Sequence, residues 1–128
     1  MPDLREYSVC KAATVTGIDA KTVAVTTLYT VPTGKTFIPD HVVIRVTAFT
    51  VGAKGVQAVA SFGGNAATYD DYINSATYTV AAVDVFIRDS VEDTAVVTQA
   101  ADVFSISMET GSDATTETWA VDLFGYLY

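Results

Sequence analysis

Thr27-Leu-Tyr-Thr-Val-Pro-Thr-Gly-Lys-Thr-Phe-Ile-Pro39 sets two apolar, β-branched runs on either side of a Pro32-Thr-Gly-Lys35 turn. Val, Ile, Thr and aromatic side chains fit a pleated, half-buried surface, and a Pro-Gly corner between two such runs marks a reversal of the chain. Pro32 is expected to fix φ at the first central turn position, with Thr33 or Gly34 taking the unusual φ that follows. Gly34-Lys35 does not make a phosphate cradle, because that chemistry needs a longer glycine-rich spacing and a helix after it.

Period-two alternation continues in both directions from this corner. Residues 22 to 31 align Val23, Val25, Tyr29 and Val31, and residues 41 to 49 align Val42, Ile44, Val46 and Ala48 against His41, Arg45 and Thr47. Further strands are predicted at 56 to 62, 79 to 87, 94 to 99, 103 to 109 and 118 to 128. Turns are predicted at Gly52 to Gly55, Gly63-Gly64-Asn65, Arg88 to Asp93 and Gly111-Ser112-Asp113. Tyr69 to Ser75 lacks strand character and reads as a crossover loop with one helical turn. Seven or eight short strands and no long amphipathic helix predict an all-β fold, a two-sheet antiparallel β-sandwich with jelly-roll topology. Residues 22–128 form its single domain, and residues 1–21 read as an extended N-terminal arm or an edge strand exchanged with a neighbour.

Composition narrows the function classes. The 128 residues carry a formal net charge of −8 with seven scattered basic residues, which argues against a nucleic-acid phosphate backbone as partner. No apolar run approaches the roughly 20 residues of a membrane span, and the first seven residues are too polar for a signal peptide. Cys10 has no cysteine to pair with, so it reads as an inert packed thiol. Only 17% of residues are charged, against about 25% in ordinary soluble domains, so the outer surface is either a Thr-rich neutral face or is covered by another subunit.

Catalytic constellations fail on residue supply. His41 is the only imidazole and no serine sits in a nucleophile elbow, while one His and one Cys cannot close a tetrahedral zinc site. Asp70-Asp71 and the cluster Asp89, Glu92 and Asp93 lack the alternating ligand spacing of a calcium loop and read as solvated turn carboxylates. No catalytic residue, cofactor or metal site is therefore predicted.

The final strand is the sharper signal. Trp119, Val121, Leu123 and Leu127 share one face, yet the opposite face, Ala120, Phe124, Tyr126 and Tyr128, is also apolar apart from Asp122. A strand with two apolar faces needs cover on both, from another chain or from the N-terminal arm, which nominates Trp119, Phe124, Tyr126 and Tyr128 as interface residues and favours self-association.

The string Leu28 to Ile38 before an alternating strand, the later Ala67-Thr-Tyr-Asp-Asp-Tyr72, and Gln99 to Ile106 before a glycine-containing last strand resemble a pattern of bacteriophage and prophage virion proteins. Those are jelly-roll decoration, fibre and tail-associated domains. The resemblance covers about residues 22 to 128 and implies a non-enzymatic structural subunit, made in the host cytoplasm and placed in the virion, commonly trimeric and docked on the major capsid protein or other virion proteins. It carries no functional residues. The alternative is a carbohydrate-binding jelly-roll module for host recognition, in which Tyr126, Tyr128 and nearby aromatics such as Trp119 stack on sugar rings.

Overall fold

A computed structural model describes residues 8–52, 55–66, 68–90 and 103–128, and eight strands make up the regular structure of these described residues. They are β1 (Cys10–Asp19), β2 (Ala24–Thr30), β3 (Phe37–Thr50), β4 (Ala58–Gly63), β5 (Ile73–Tyr78), β6 (Phe86–Asp89), β7 (Val103–Thr110) and β8 (Thr116–Leu127). Two four-stranded sheets result, sheet A in the order β1-β8-β3-β6 and sheet B in the order β2-β7-β4-β5. Every pairing is antiparallel, so the chain is an all-β sandwich as predicted.

The pairs β1 with β8, β2 with β7, β3 with β6 and β4 with β5 are nested. The first half of the chain thus runs back along the second like one long hairpin folded over itself, and successive strands of that ribbon alternate between the layers. Pairing of β8 with β3 and of β7 with β4 closes the two sheets.

The opening corner forms one residue later than expected. The Lys35 amide donates to the Pro32 carbonyl at 3.0 Å, so Pro32 is the first turn residue and Gly34, at φ 79°, takes the third position. That is where a type II turn requires positive φ, and it is why glycine stands there. Residues 10–19 of the expected arm are β1, an edge strand on the chain's own β8. Three strand assignments shift. Residues 73–75, read as the end of a crossover loop, open β5 (Ile73–Tyr78), whose alternation is broken by Ser75 at φ 50°. The alternation from 79 to 85 belongs to a loop, with Val83 47% exposed and Asp84 at φ 64°, and the strand begins only at Phe86. Val23 just before β2 and Val25 on it lie outside, and Leu28 points into the core. The predicted strand 94–99, the carboxylates Glu92 and Asp93, Ala67, and residues 1–7 lie outside the described residues.

The core between the sheets is built on aromatic edges. Phe37 and Trp119 from sheet A face Phe62, Tyr78 and Phe104 from sheet B, all 3% exposed or less. Trp119 meets Tyr78 edge-on at 5.6 Å, Tyr78 meets Phe62 at 6.2 Å, and Phe104 meets Phe37 at 6.2 Å and Tyr72 at 5.6 Å. Such pairs contribute about 0.5–1.5 kcal/mol each beyond the area they bury. Gly125 sits opposite Pro39 in this layer because a Cβ there would lie 2.6 Å from the Phe37 ring.

Tyr78 also ties the layers by polarity. Its hydroxyl donates to Asp89 Oδ2 at 2.8 Å, joining the ends of β5 and β6, and burial with this carboxylate pushes the phenol far above its ordinary pKa. Tyr78→Phe keeps the ring packing and removes the one hydrogen bond. It is expected to lower unfolding stability by about 1–2 kcal/mol, read as a lower urea midpoint at unchanged slope.

Candidate interaction surface

The outer face of sheet A is assembled by register. On β8, alternation turns Ala120, Asp122, Phe124 and Tyr126 outward, against Trp119, Val121 and Leu123 inward. Across the ladder, His41 stands beside Phe124, Val43 beside Asp122 and Arg45 beside Ala120. The edge strand β6 adds Arg88 beside Val43 and Phe86 beside Arg45. Bulges between Pro39 and His41 and between Val46 and Ala48 adjust the two ends of β3.

At its centre Arg45 grips Asp122 with two nitrogens, Nε to Oδ2 at 3.0 Å and Nη2 to Oδ1 at 3.2 Å. Thr14 Oγ1 adds a donor to Oδ1 at 2.6 Å. This fork-on-carboxylate geometry across neighbouring strands fixes both side chains flat on the face, so the ion pair neutralises itself and holds the surface level. Beside it the His41 ring stacks on Phe124, centroids 4.5 Å apart and planes 6° from parallel, with Nδ1 2.7 Å from Asp40 Oδ2. Phe86 stands 68% exposed at the rim.

Sheet B presents a different outer face. Ser105, Ser107 and Glu109 of β7, Val59 and Ser61 of β4, and Thr27 of β2 point away from the core. Glu109 accepts from the hydroxyls of Ser61 and Ser75, and Ser61 Oγ accepts the Ser75 amide at 2.9 Å. This face is built of small hydroxyl side chains around the Glu109 carboxylate, with Ser61 and Ser105 fully buried. The aromatic face belongs to sheet A.

The four nominated residues separate accordingly. Phe124 and Tyr126 are half-buried on the outer face of sheet A, and Tyr128 is 45% exposed at the end of β8, where its backbone pairs with Thr36. Trp119 is fully buried between the sheets, a core anchor out of reach of any partner. His41, Val43, Arg45 and Phe86 join the face without having been nominated. Strand alternation in 41–49 already set His41 and Arg45 together, but Phe86 was hidden by the misplaced strand at 79–87.

Among the described residues no cluster of three or more His, Cys, Asp or Glu side chains could hold a metal ion. Asp40 and His41 form a pair, but the imidazole face is covered by Phe124, and no serine is hydrogen-bonded to it. Asp70 is tied to Asn65 and Thr68, and Asp71 accepts the Gly64 amide at 2.8 Å, as carboxylates of a turn do. Cys10 is exposed, and its thiol donates to the Gly125 carbonyl.

One buried carboxyl stands apart from the face. Glu117 is 1% exposed beneath the 111–115 loop, where Ser112 Oγ donates to Oε1 at 3.1 Å. Its Oε2 and the neighbouring Trp119 Nε1 have no partner within hydrogen-bonding geometry, although the indole N–H is near enough to favour the anion somewhat. Burial outweighs both donors and raises the Glu117 pKa above 4.5. No protein-family model matches the chain, and no curated protein matches it either.

Two outcomes follow from these charges. Asp122→Ala strips Arg45 and Thr14 of their shared acceptor and is expected to cost about 1–3 kcal/mol in chemical denaturation. For Glu117 the folded pKa lies above the unfolded value, so its favourable contribution is complete below about pH 4.5 and fades as pH rises through the folded pKa. Glu117→Gln is expected to melt higher than the parent at pH 7, with the difference shrinking toward pH 4.

Proposed function

We propose that the chain is a non-enzymatic structural subunit of a virion, a capsid decoration or fibre component that self-associates and docks on other virion proteins. The observation that carries this reading is the outer face of sheet A. Phe86, Val43, the His41–Phe124 stack and Tyr126 surround an ion pair that is already internally satisfied. The centre of such a face loses little on desolvation, since Arg45 keeps its carboxylate, and it gains from covering the aromatics, while Arg88 stays exposed at the rim. Sheet B supplies the contrast: its outer face carries small hydroxyl side chains around Glu109 and no aromatic stack.

The same reading takes the nested strand pairing as jelly-roll topology, the fold of the virion proteins that the Leu28 to Ile38 corner resembles. A homotrimer is the favoured assembly. Multi-angle light scattering is expected to show a stable oligomer across a wide range of protein concentration. The chain is also expected to sediment with capsids or other virion parts. A monomer at every concentration, with nothing carried down in the pellet, contradicts the proposal.

A second reading has one observation in its favour: Tyr126 and Phe124 lie beside Arg45 and Asp122, an aromatic platform next to polar groups, as sugar rings require. Trp119 is buried and takes no part in it. On that reading a glycan array gives saturable binding that Tyr126→Ala abolishes without loss of fold, whereas an empty array removes it.

A further inference from the structure

We propose that copies of this chain join head to tail, Phe86 of one copy entering the groove between β1 and β2 of the next. The proposal rests on the reading that the chain self-associates, and it specifies the contact.

The groove has a volume of about 230 Å3 where the edges of the two sheets part, with Ile18, Ile106 and Met108 as its floor and Ala24 and Thr26 of β2 as one wall. It is open because β1 bulges between Val15 and Ile18, with Gly17 at φ 72° and no atom within 4 Å of where its Cβ would stand. The bulge carries the edge of β1 away from β2. An apolar cavity of about 150 Å3 is enough to take a benzene ring, so the groove has room for one phenyl group.

Phe86 is the matching knob. It is 68% exposed on the four-residue edge strand β6, at the far side of sheet A from β1. Backbone pairing to Arg45 holds it rigidly, so little order is lost when it is covered.

Charge fits the same contact. Arg88 lies two residues beyond Phe86 on the same face and is exposed, while Asp19 lines the mouth of the groove. The Lys21 amide and the Thr22 hydroxyl hold the Asp19 carboxylate in place at 2.9 and 2.8 Å and keep it ionised. Lys21, the nearest cation in sequence, donates its ammonium to the Thr115 carbonyl at 2.9 Å. An incoming Arg88 therefore meets a fixed anion at the rim while Phe86 occupies the floor. Knob and groove are different surfaces on opposite edges of one subunit, so the contact is heterologous and closes into a ring or runs on as a filament.

Complementation tests it. Phe86→Asp removes the knob and Ala24→Trp fills the groove, both at exposed positions where circular dichroism is expected to show an intact sandwich. Each variant alone is expected to associate roughly thirtyfold more weakly than the parent in sedimentation velocity, as loss of a central aromatic anchor predicts. Mixed, the two variants are expected to recover a one-to-one complex, because one brings an intact groove and the other an intact knob. As a second measurement, Phe86→Cys with Thr22→Cys in a Cys10→Ser background is expected to give interchain disulfides on mild oxidation. Variants that assemble like the parent, or a mixture that stays dissociated, overturn this contact while leaving self-association standing. A parent that is monomeric throughout overturns both.

Discussion

The ladder between β3 and β8 is the constraint on which the rest of the molecule depends. It runs from Phe37 opposite Leu127 to Thr50 opposite Thr116 and places β8 in the interior of sheet A, with β1 on its other side. Once β8 is paired on both edges, its alternation fixes both surfaces of the sheet at once. Trp119, Val121 and Leu123 become the floor of the core, and Asp122, Phe124 and Tyr126 become the outer face. A slip of one residue would exchange the two sets, turning Asp122 into the apolar core and Trp119 to the outer face. The inner aromatics lock against Tyr78, and outside the Arg45–Asp122 fork spans β3 and β8. Core and surface therefore enforce the same register.

Most of this was legible in the order of side chains. Residues 41–46 alternate because their strand separates a dry side from a wetter one, residues 118–128 announce themselves as a strand with two apolar faces, and the turn glycines mark the reversals. What was hidden has a local cause in each case. β5 carries Ser75 with positive φ, which breaks period two, so a real strand reads as a loop. Residues 79–85 alternate by composition alone: Val80 is buried and its amide donates to Gln57, but beyond it the loop turns away, tied to Val46 through Val85 and Asp84, and leaves Val83 exposed. Trp119 was nominated for an interface because aromatic content says that a side chain must be covered, not what covers it. The sandwich itself covers it. Phe124 and Tyr126 stand one step out of phase with Trp119, and that phase alone separates core from surface.

The charge distribution makes the same division. Of a net −8, the cations are few and several are engaged: Arg45 with Asp122, and Lys21 with the Thr115 carbonyl. Acidic groups are used mostly inside the chain's own turns, as at Asp19, Asp70, Asp71 and Asp113. Asp113 accepts the Val56 amide at 3.0 Å, and Gly52 lets the same loop approach so closely that a Cβ would meet the Asp113 carbonyl at 1.9 Å. The loop end of the sandwich is thereby stapled by backbone and carboxylate contacts, and chemistry there would first have to break them.

Rigidity at that end shifts attention to the sheet edges. An antiparallel sandwich has four edge strands, and each must be defended from pairing with a neighbour. β1 is defended by two bulges and by Lys11, and β6 by its length of only four residues. β2 carries Val25 exposed, with Val23 exposed just before it, no charge between them and no bulge until Thr27. An edge left apolar on one side of the molecule, beside a groove, and a bare phenyl ring on the opposite side are a poor arrangement for a subunit that lives alone. They are a consistent one for a subunit whose two flanks are each covered by another copy. The bulge that protects β1 from unwanted strand pairing is also what opens the groove, so one irregularity in the ladder both hinders strand addition at this edge and shapes the groove.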